Sequence, residues 1–239
     1  MPDAPPLVVL SAGAAKGVVE ALQSDFRVET GAEVAGTFGA VGAIREKFVA
    51  IHACDVLILT AAMLEELADE GRVDRATIAP LGRVLTGIAV RSGEPHPAID
   101  SASALRACFA QAQSLYCPDP ERATAGIHFV KVLRELGLWP DCVPRLAAYP
   151  SGAIAMRALS ETTGPGAVGC TQVTEILYTP GVELVGPLPA EFTLATIYSV
   201  AVGTRAPQSA LARRFASLIS GPATRESRER GGFFAASEC

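Results

Sequence analysis

Two cationic residues lie beside segments of small residues that follow predicted strands. Lys16 stands in the first turn of the helix after residues 11–15, and Arg122 directly precedes residues 123–126. Unpaired N–H groups and the positive end of the helix dipole make a helix N-terminus favourable for an anion, and a nearby cation adds to this effect. Two such places, each with a cation, suit a ligand with carboxylate groups, such as a di- or tricarboxylate.

Neutral polar side chains near the same segments can supply further hydrogen bonds. These residues are Ser11, Thr124, Ser151, Thr171 and Gln172. An enzyme that moves a proton would also need a general base. The candidates for that role are Lys16, His128 and Glu175.

The two cations also have a purely structural interpretation. Lys16 would then be a solvated lysine on a helix surface, and Arg122 would pair locally with Asp119 or Glu121. The sequence alone leaves both interpretations open.

The polar candidates divide in the same way. His128 has apolar neighbours and suits packing inside a helix, while Thr124 is a good N-cap with or without a ligand. Glu175 stands three residues after Gln172, which is the spacing of a helix-capping carboxylate. For Thr171 and Gln172, which directly follow a buried apolar strand, we favour a functional role.

The elements that must position these residues alternate between strand and helix. The apolar pattern predicts strands over 7–10, 34–38, 55–60, 87–91, 115–117, 167–170 and 194–202. It predicts helices over 14–26, 41–49, 62–70, 103–113, 125–136 and 210–220, and a short helix that ends at 156–159. This alternation predicts an α/β fold with mainly parallel sheets, in which ligands bind where strand ends meet helix N-termini.

Four of the strand-to-helix junctions consist of small residues that let a ligand approach the backbone. They are residues 11–15, 38–42, 122–126 and 149–153, and the positions they add to the candidate site are Gly13, Ala14, Ala40, Val41, Ala125 and Gly152. Because two junctions fall in each half, we predict two lobes that each offer helix N-termini to one anion. None carries a nucleotide-binding glycine motif, so we predict no nucleotide and no cofactor.

Composition excludes several classes of protein. The 239 residues are 49% apolar and 19% charged, which argues against disorder, collagen and coiled coil. A net charge of −5 argues against nucleic acid or an anionic membrane as a general binding partner. No apolar run approaches the ~18 residues of a membrane span, so we expect no membrane insertion. Separately, we expect a monomer.

The N-terminus and the cysteines bear on location. Residues 1–6 have no basic start and no apolar segment, so the chain as written is expected in the cytoplasm, or in the periplasm if a leader was removed. None of the six cysteines forms a C-x-x-C pair or lies at zinc-ligand spacing from a histidine. We therefore predict no metal site, and free buried thiols in a reducing compartment.

The order of several motifs resembles that of a known family. The motifs are T-F-G-A-V-G at 37–42, C-D-V-L-I-L-T at 54–60, P-D-P-E-R-A-T-A-G-I-H at 118–128 and G-A-V-G-C-T-Q at 166–172. From about residue 7 to 233 the chain is similar to the molybdate-binding proteins of ABC importers, which are type II periplasmic binding proteins. The closing stretch 210–234, a helix, Gly-Pro, a charged helix and Gly-Gly-Phe, belongs to the same resemblance.

The resemblance implies a two-lobe α/β fold with the ligand in a central cleft. It places two crossing hinge strands near 85–89 and 195–199. Lobe 1 would then comprise residues 1–86 and 197–239, and lobe 2 residues 87–196.

The binding positions depart from that family. Its members use two serine hydroxyls and a tyrosine hydroxyl, which the resemblance places at Ala14, Val41 and Gln172. Pro150, at a further position where the family uses a backbone donor, has no N–H group. A tetrahedral oxyanion would lose up to four hydrogen bonds of roughly 1.5–3 kcal/mol each, so we expect weak binding of molybdate and tungstate.

Two functions follow from the resemblance. The first, which we favour, is a solute-binding protein that captures a small organic anion and delivers it to an ABC permease if exported. The second is an isomerase on the same scaffold, similar to the aconitate isomerases, which moves a double bond in a di- or tricarboxylate by proton transfer. A cytosolic sensor domain is a third possibility.

Overall fold

The computed structural model describes residues 5–51 and 54–235. The chain divides into two compact units, which we call unit 1, up to Arg83 and from Thr196 onward, and unit 2, Val84–Ala195. The chain passes between them twice, at residues 83–84 and at residues 195–196. The expectations for residues 1–4 and for Cys239 lie outside the described residues.

Strands and helices alternate through most of the chain. The strands are β1 Leu7–Ala12, β2 Val34–Gly39, β3 Val56–Thr60, β4 Val73–Arg91, β5 Ser114–Pro118, β6 Leu146–Tyr149, β7 Ala167–Gln172, β8 Val182–Pro187 and β9 Ala195–Gly203. The helices are α1 Lys16–Thr30, α2 Val41–Ile51, α3 Ala61–Asp69, α4 Ala102–Gln111, α5 Thr124–Glu135, α6 Trp139–Cys142, α7 Gly152–Glu161, α8 Val173–Leu177, α9 Ser209–Ser220 and α10 Arg225–Arg230. Short 3-10 turns cover Gly13–Ala15, Val143–Arg145, Ala190–Phe192 and Pro222–Thr224.

Unit 1 is built on strands in the order β2-β1-β3-β9. β1 runs parallel to β2 and β3, and β9 pairs with β3 in the antiparallel direction. β3 is a continuous run of apolar residues, as expected for a strand covered on both faces. Helices α1 and α9 pack through Phe26 and Phe215, whose rings meet edge to face with centroids 5.1 Å apart.

Unit 2 is built on strands in the order β4-β7-β5-β6, and β8 pairs with β4. β5 is parallel to β6 and β7, whereas β4 is antiparallel to β7 and β8. The core contains Phe109 of α4 and Phe129 of α5, with ring centroids 5.2 Å apart. The predicted α/β class is confirmed, and antiparallel pairs formed by β4, β8 and β9 accompany the parallel ones.

Several element boundaries differ from the sequence predictions. β4 begins at Val73, whereas the apolar pattern predicted only residues 87–91 of it, and strands β6 and β8 were not predicted. The first helix begins at Lys16 after a 3-10 turn rather than at Ala14. Because Ala123 is the N-cap of α5 and Thr124 its first residue, the expectation that Thr124 caps this helix is wrong.

The prediction of free buried thiols is confirmed for the cysteines of the described residues. They are Cys54, Cys108, Cys117, Cys142 and Cys170. Burial raises the pKa of the Cys54 and Cys117 thiols to about 12. These side chains therefore behave as small apolar groups of the core.

Candidate functional site

In unit 1, the first two junctions lie side by side at one edge of the sheet. β1 and β2 are parallel, and their last residues pair as Ser11 with Phe38 and Ala12 with Gly39. The turn Gly13–Ala15 and the start of α2 therefore follow strands that end at the same level. Ala14 and Val41 are both buried there. This edge presents the N-terminal backbone of two helices, which suits an anion.

Lys16 lies over this edge. Its Nζ is 5.8 Å from the centroid of the Phe38 ring and 2.6 Å from Oε2 of Glu20, one turn further along α1. Glu20 thus forms an ion pair with Lys16 in the structure. A ligand carboxylate would compete with Glu20, which is exposed and contributes little stability.

The Ser11 hydroxyl group does not add a hydrogen-bond donor to this edge of the sheet. The side chain is fully buried in β1, and its Oγ donates to the Ala12 carbonyl oxygen at 2.9 Å. Ala40, also buried, accepts the Ile44 amide at 3.0 Å and so closes the first turn of α2. Gly13 is buried in the 3-10 turn.

In unit 2, the junction between β5 and α5 is a tight polar turn. The Asp119 side chain accepts the amides of Glu121 and Arg122 at 2.8 and 3.0 Å, which shapes the chain before the helix. Arg122 is exposed, and Ala125 is buried in the first turn of α5. A Cβ atom at Gly126 would lie closer than 3.0 Å to the Pro118 and Asp119 carbonyl groups, so this position needs glycine.

The junctions after β6 and β7 meet around a buried carboxylate. Glu175 of α8 is 5% exposed, and its Oε2 accepts the Thr171 hydroxyl group at 2.5 Å. The same carboxylate accepts the backbone amides of Gly152, Ala153 and Gln172. Burial raises the pKa of Glu175 to about 6, although these hydrogen bonds act in the opposite direction.

Glycine is required at position 152 by this contact. A Cβ atom there would lie closer than 3.0 Å to Oε2 of Glu175 and to Oγ1 of Thr171. Ser151, the N-cap of α7, accepts the Ile154 amide at 3.4 Å. The start of α7 is therefore shaped to receive the side chain of Glu175.

The three candidate bases are all engaged by protein groups. The His128 Nε2 lies 2.7 Å from the Phe192 carbonyl oxygen, so this nitrogen carries a proton and only Nδ1 is left to accept one. Lys16 is paired with Glu20, and Glu175 caps two helices. The capping interpretation of Glu175 holds for α8, and α7 is an additional partner.

The structure thus groups the predicted residues by unit. Ser11, Gly13, Ala14, Lys16, Ala40 and Val41 lie around the ends of β1 and β2. Gly152, Thr171, Gln172 and Glu175 lie together in unit 2, whereas Arg122, Thr124 and Ala125 belong to the junction after β5.

Sequence reasoning missed two neighbours of these residues. Glu20 is four residues after Lys16, a spacing that predicts an ion pair on a helix. Thr86, buried in β4, pairs with Gln172 across two antiparallel strands, which no local pattern indicates. Across residues 5–51 and 54–235, no group of three or more His, Cys, Asp or Glu side chains is arranged to hold a metal ion. None of the helices in that part of the chain is long and apolar enough to cross a membrane.

Two α/β units connected twice by the chain define a type II periplasmic-binding-protein fold, and comparison with solved structures agrees. The chain is similar to the periplasmic molybdate-binding protein of Azotobacter vinelandii, with a TM-score of 0.75 and 18% identity over 95% of this chain and 97% of that one. It is also similar to the sulfate-binding protein of Mycobacterium tuberculosis, with a TM-score of 0.74 and 17% identity over 98% of this chain and 88% of the other.

Sequence comparison assigns the family. Residues 7–234 match the family described as bacterial extracellular solute-binding protein, and the chain belongs to it. An aconitate isomerase from a Pseudomonas species is 25% identical over 223 residues, which are 90% of this chain and 82% of that protein. The predicted resemblance to molybdate-binding-like proteins is confirmed.

Proposed function

We propose that this protein is a solute receptor that captures a small organic anion with carboxylate groups. The observation that carries the proposal is the donor set at the end of β1 and β2. The turn before α1 and the start of α2 follow neighbouring strands there, and the Lys16 ammonium lies 5.8 Å from the centroid of the Phe38 ring on the same edge. No hydroxyl group stands at Ala14 or Val41. A cation with backbone amides suits a planar carboxylate.

The same donor set argues against the ligands named for two structural relatives. Molybdate and sulfate are tetrahedral and need many donors around one centre. Each missing charged hydrogen bond costs roughly 1.5–3 kcal/mol, and the hydroxyl groups expected from the resemblance are absent at three positions. Arg122, exposed at the start of the α5 junction, would hold a second carboxylate in unit 2.

Delivery to an ABC permease follows from the family. Solute-binding proteins usually hand their ligand to a permease in the membrane, and closure of two lobes around the ligand is the motion such receptors use. We propose the same partner here, which would place the working protein outside the cytoplasmic membrane.

An isomerase is the second candidate because of the aconitate isomerase relative. Proton transfer in a tricarboxylate needs a base beside an acidic C–H bond and donors for the developing enolate. His128 and Glu175 are both held by structural hydrogen bonds, and Lys16 is held by an ion pair. Of the three, the buried Glu175 is the most firmly held, and the match of residues 7–234 to a solute-binding family favours the receptor over the enzyme.

Calorimetric titration tests the receptor. Citrate, cis-aconitate, trans-aconitate and malate are compared with molybdate and sulfate, and we expect measurable binding for at least one carboxylate and none at micromolar concentration for either oxyanion. Micromolar molybdate affinity would contradict the proposal.

Variants locate the ligand. Lys16→Ala and Arg122→Ala should each weaken carboxylate binding by roughly 2 kcal/mol, because a ligand charge loses its partner. Lys131→Ala is the matched control, since Lys131 also forms an exposed ion pair with the glutamate four residues later. Equal losses in Lys16→Ala and Lys131→Ala would remove Lys16 from the site.

Nuclear magnetic resonance separates receptor from enzyme. Incubation of cis- or trans-aconitate with the purified protein should leave the spectrum unchanged over a time in which binding is complete. Interconversion of the two compounds would establish the isomerase instead. Replacement of its base should then abolish turnover and spare binding.

A further inference from the structure

The N-terminus of α7 is capped by a carboxylate from another helix. The Glu175 carboxylate, from a different helix, accepts the amides of Gly152 and Ala153, the first two residues of α7. The third amide, of Ile154, is accepted by the Ser151 hydroxyl oxygen at 3.4 Å. The Ala155 amide makes the first regular hydrogen bond of the helix, to the Ser151 carbonyl oxygen at 3.0 Å.

The amides of the first three residues of α7, which a helix normally leaves open, are therefore directed at protein acceptors. Two residues of the protein hold the Glu175 carboxylate in this position. The absence of a side chain at Gly152 makes the space for the carboxylate, and the Thr171 hydroxyl group at 2.5 Å fixes its orientation. The carboxylate is buried, so it cannot leave its amides without opening the turn.

The start of α5 is different in chemistry. Its N-cap is Ala123, whose methyl group can accept no hydrogen bond, and the cation Arg122 precedes it. The α7 N-terminus thus receives a carboxylate from another helix, whereas the turn before α5 contains both the Arg122 cation and the Asp119 carboxylate.

We propose that Glu175 is a specificity-determining residue. Its carboxylate occupies the α7 N-terminus as an internal anion and so excludes external anions from it. This proposal rests on the proposed function, because it leaves the α5 junction as the place in unit 2 where a ligand carboxylate is held. It accounts for selectivity against compact oxyanions, which would need the amides of both junctions around one centre. A ligand with separated carboxylates does not need the α7 amides.

The experiment uses sulfate as the probe and the backbone amides of Gly152 and Ala153 as reporters in ¹⁵N spectra. In the wild-type protein, sulfate should leave both amide signals in place. In Glu175→Ala, sulfate should shift both signals, and its affinity should rise at least tenfold over wild type. Glu161→Ala, which removes an exposed glutamate from the end of α7, is the matched control and should behave as wild type.

Glu175→Gln is the second variant, should Glu175→Ala fail to fold. It removes the charge, keeps the side chain volume and should give a smaller gain in the same direction. Sulfate shifts of Gly152 and Ala153 in the wild-type protein would overturn the proposal. A folded Glu175 variant whose amides ignore sulfate would overturn it too. A separate titration of wild type with citrate, cis-aconitate, trans-aconitate and malate tests the proposed function. A gain of sulfate binding in the variant without binding of any of these carboxylates would leave Glu175 in its role and refute the receptor.

Discussion

Gly152 has no room for an added methyl group in the candidate site. Its Cβ atom would overlap the Glu175 carboxylate and the Thr171 hydroxyl group, neither of which can move without losing buried hydrogen bonds. Gly152→Ala should therefore lower the free energy of unfolding by about 1–3 kcal/mol, measured by urea denaturation.

Gly164→Ala is the matched control, because a Cβ atom at Gly164 would meet nothing within 4 Å. This substitution should change stability by less than about 0.5 kcal/mol. Equal effects of the two substitutions would mean that the Glu175 carboxylate does not occupy the space beside Gly152.

Glu175 also makes stability depend on pH. Burial raises its pKa from 4.5 to about 6, so the folded protein holds this proton more tightly than the unfolded chain. The contribution is fully present below the unfolded pKa and is lost as the pH rises through the folded pKa. A shift of this size corresponds to about 2 kcal/mol.

The measurement compares wild type with Glu175→Gln, which cannot titrate at this position. The stability of wild type relative to the variant should fall by about 2 kcal/mol between pH of about 4 and about 7.5. Comparison of the two proteins cancels the other carboxylates. A relative stability that rises with pH would mean that hydrogen bonding outweighs burial at Glu175.

Asp55 connects three elements of unit 1 through one buried carboxylate. Its Oδ2 accepts the Val8 amide of β1 at 2.9 Å, and its Oδ1 accepts the Gln208 amide at the start of α9 at 2.7 Å. Asp55→Asn leaves one oxygen for two donors, so the free energy of unfolding should fall by about 1–3 kcal/mol. Asp25→Asn, on the exposed face of α1, should have little effect in the same denaturation experiment.

Elements with a strong apolar pattern were predictable from the sequence. β3 and β9 are apolar runs, and α9 places Phe215 and Ile219 four residues apart on its buried face. The first part of β4 was missed because Asp74, Arg75 and Pro80 interrupt any apolar pattern there.

The site was predictable only where the rule was local. The distance from Gln172 to Glu175 along the chain indicates a helix cap, and the structure contains it. The contact of Glu175 with Gly152 depends on the order of β5, β6 and β7 in the sheet, which places the starts of α7 and α8 together. Pairing across strands is non-local, so no spacing rule could reveal it.

Unit 2 is one continuous segment whose ends are close together. The Thr86 amide donates to the Leu194 carbonyl oxygen at 3.3 Å, and the unit has its own aromatic core. A fragment of residues 84–195 should therefore fold alone and unfold cooperatively, as measured by circular dichroism during urea titration. A shorter fragment, 84–150, lacks β7 and should stay unfolded. Failure of 84–195 to fold would mean that unit 2 depends on unit 1.

The buried thiols set a condition on how the protein reaches its folded state. Continuing the register of β5 and β7 by one residue puts Cys117 beside Cys170, and burial, with a smaller contribution from Cys117, raises the pKa of the Cys170 thiol. Once the core has closed, an oxidant cannot reach them, whereas an extended chain exposes both. In an oxidising compartment, folding and oxidation therefore compete in time. A disulfide formed before the core closes would trap the chain outside its native packing. The yield of folded protein would therefore depend on the rate of disulfide formation relative to the rate of core closure.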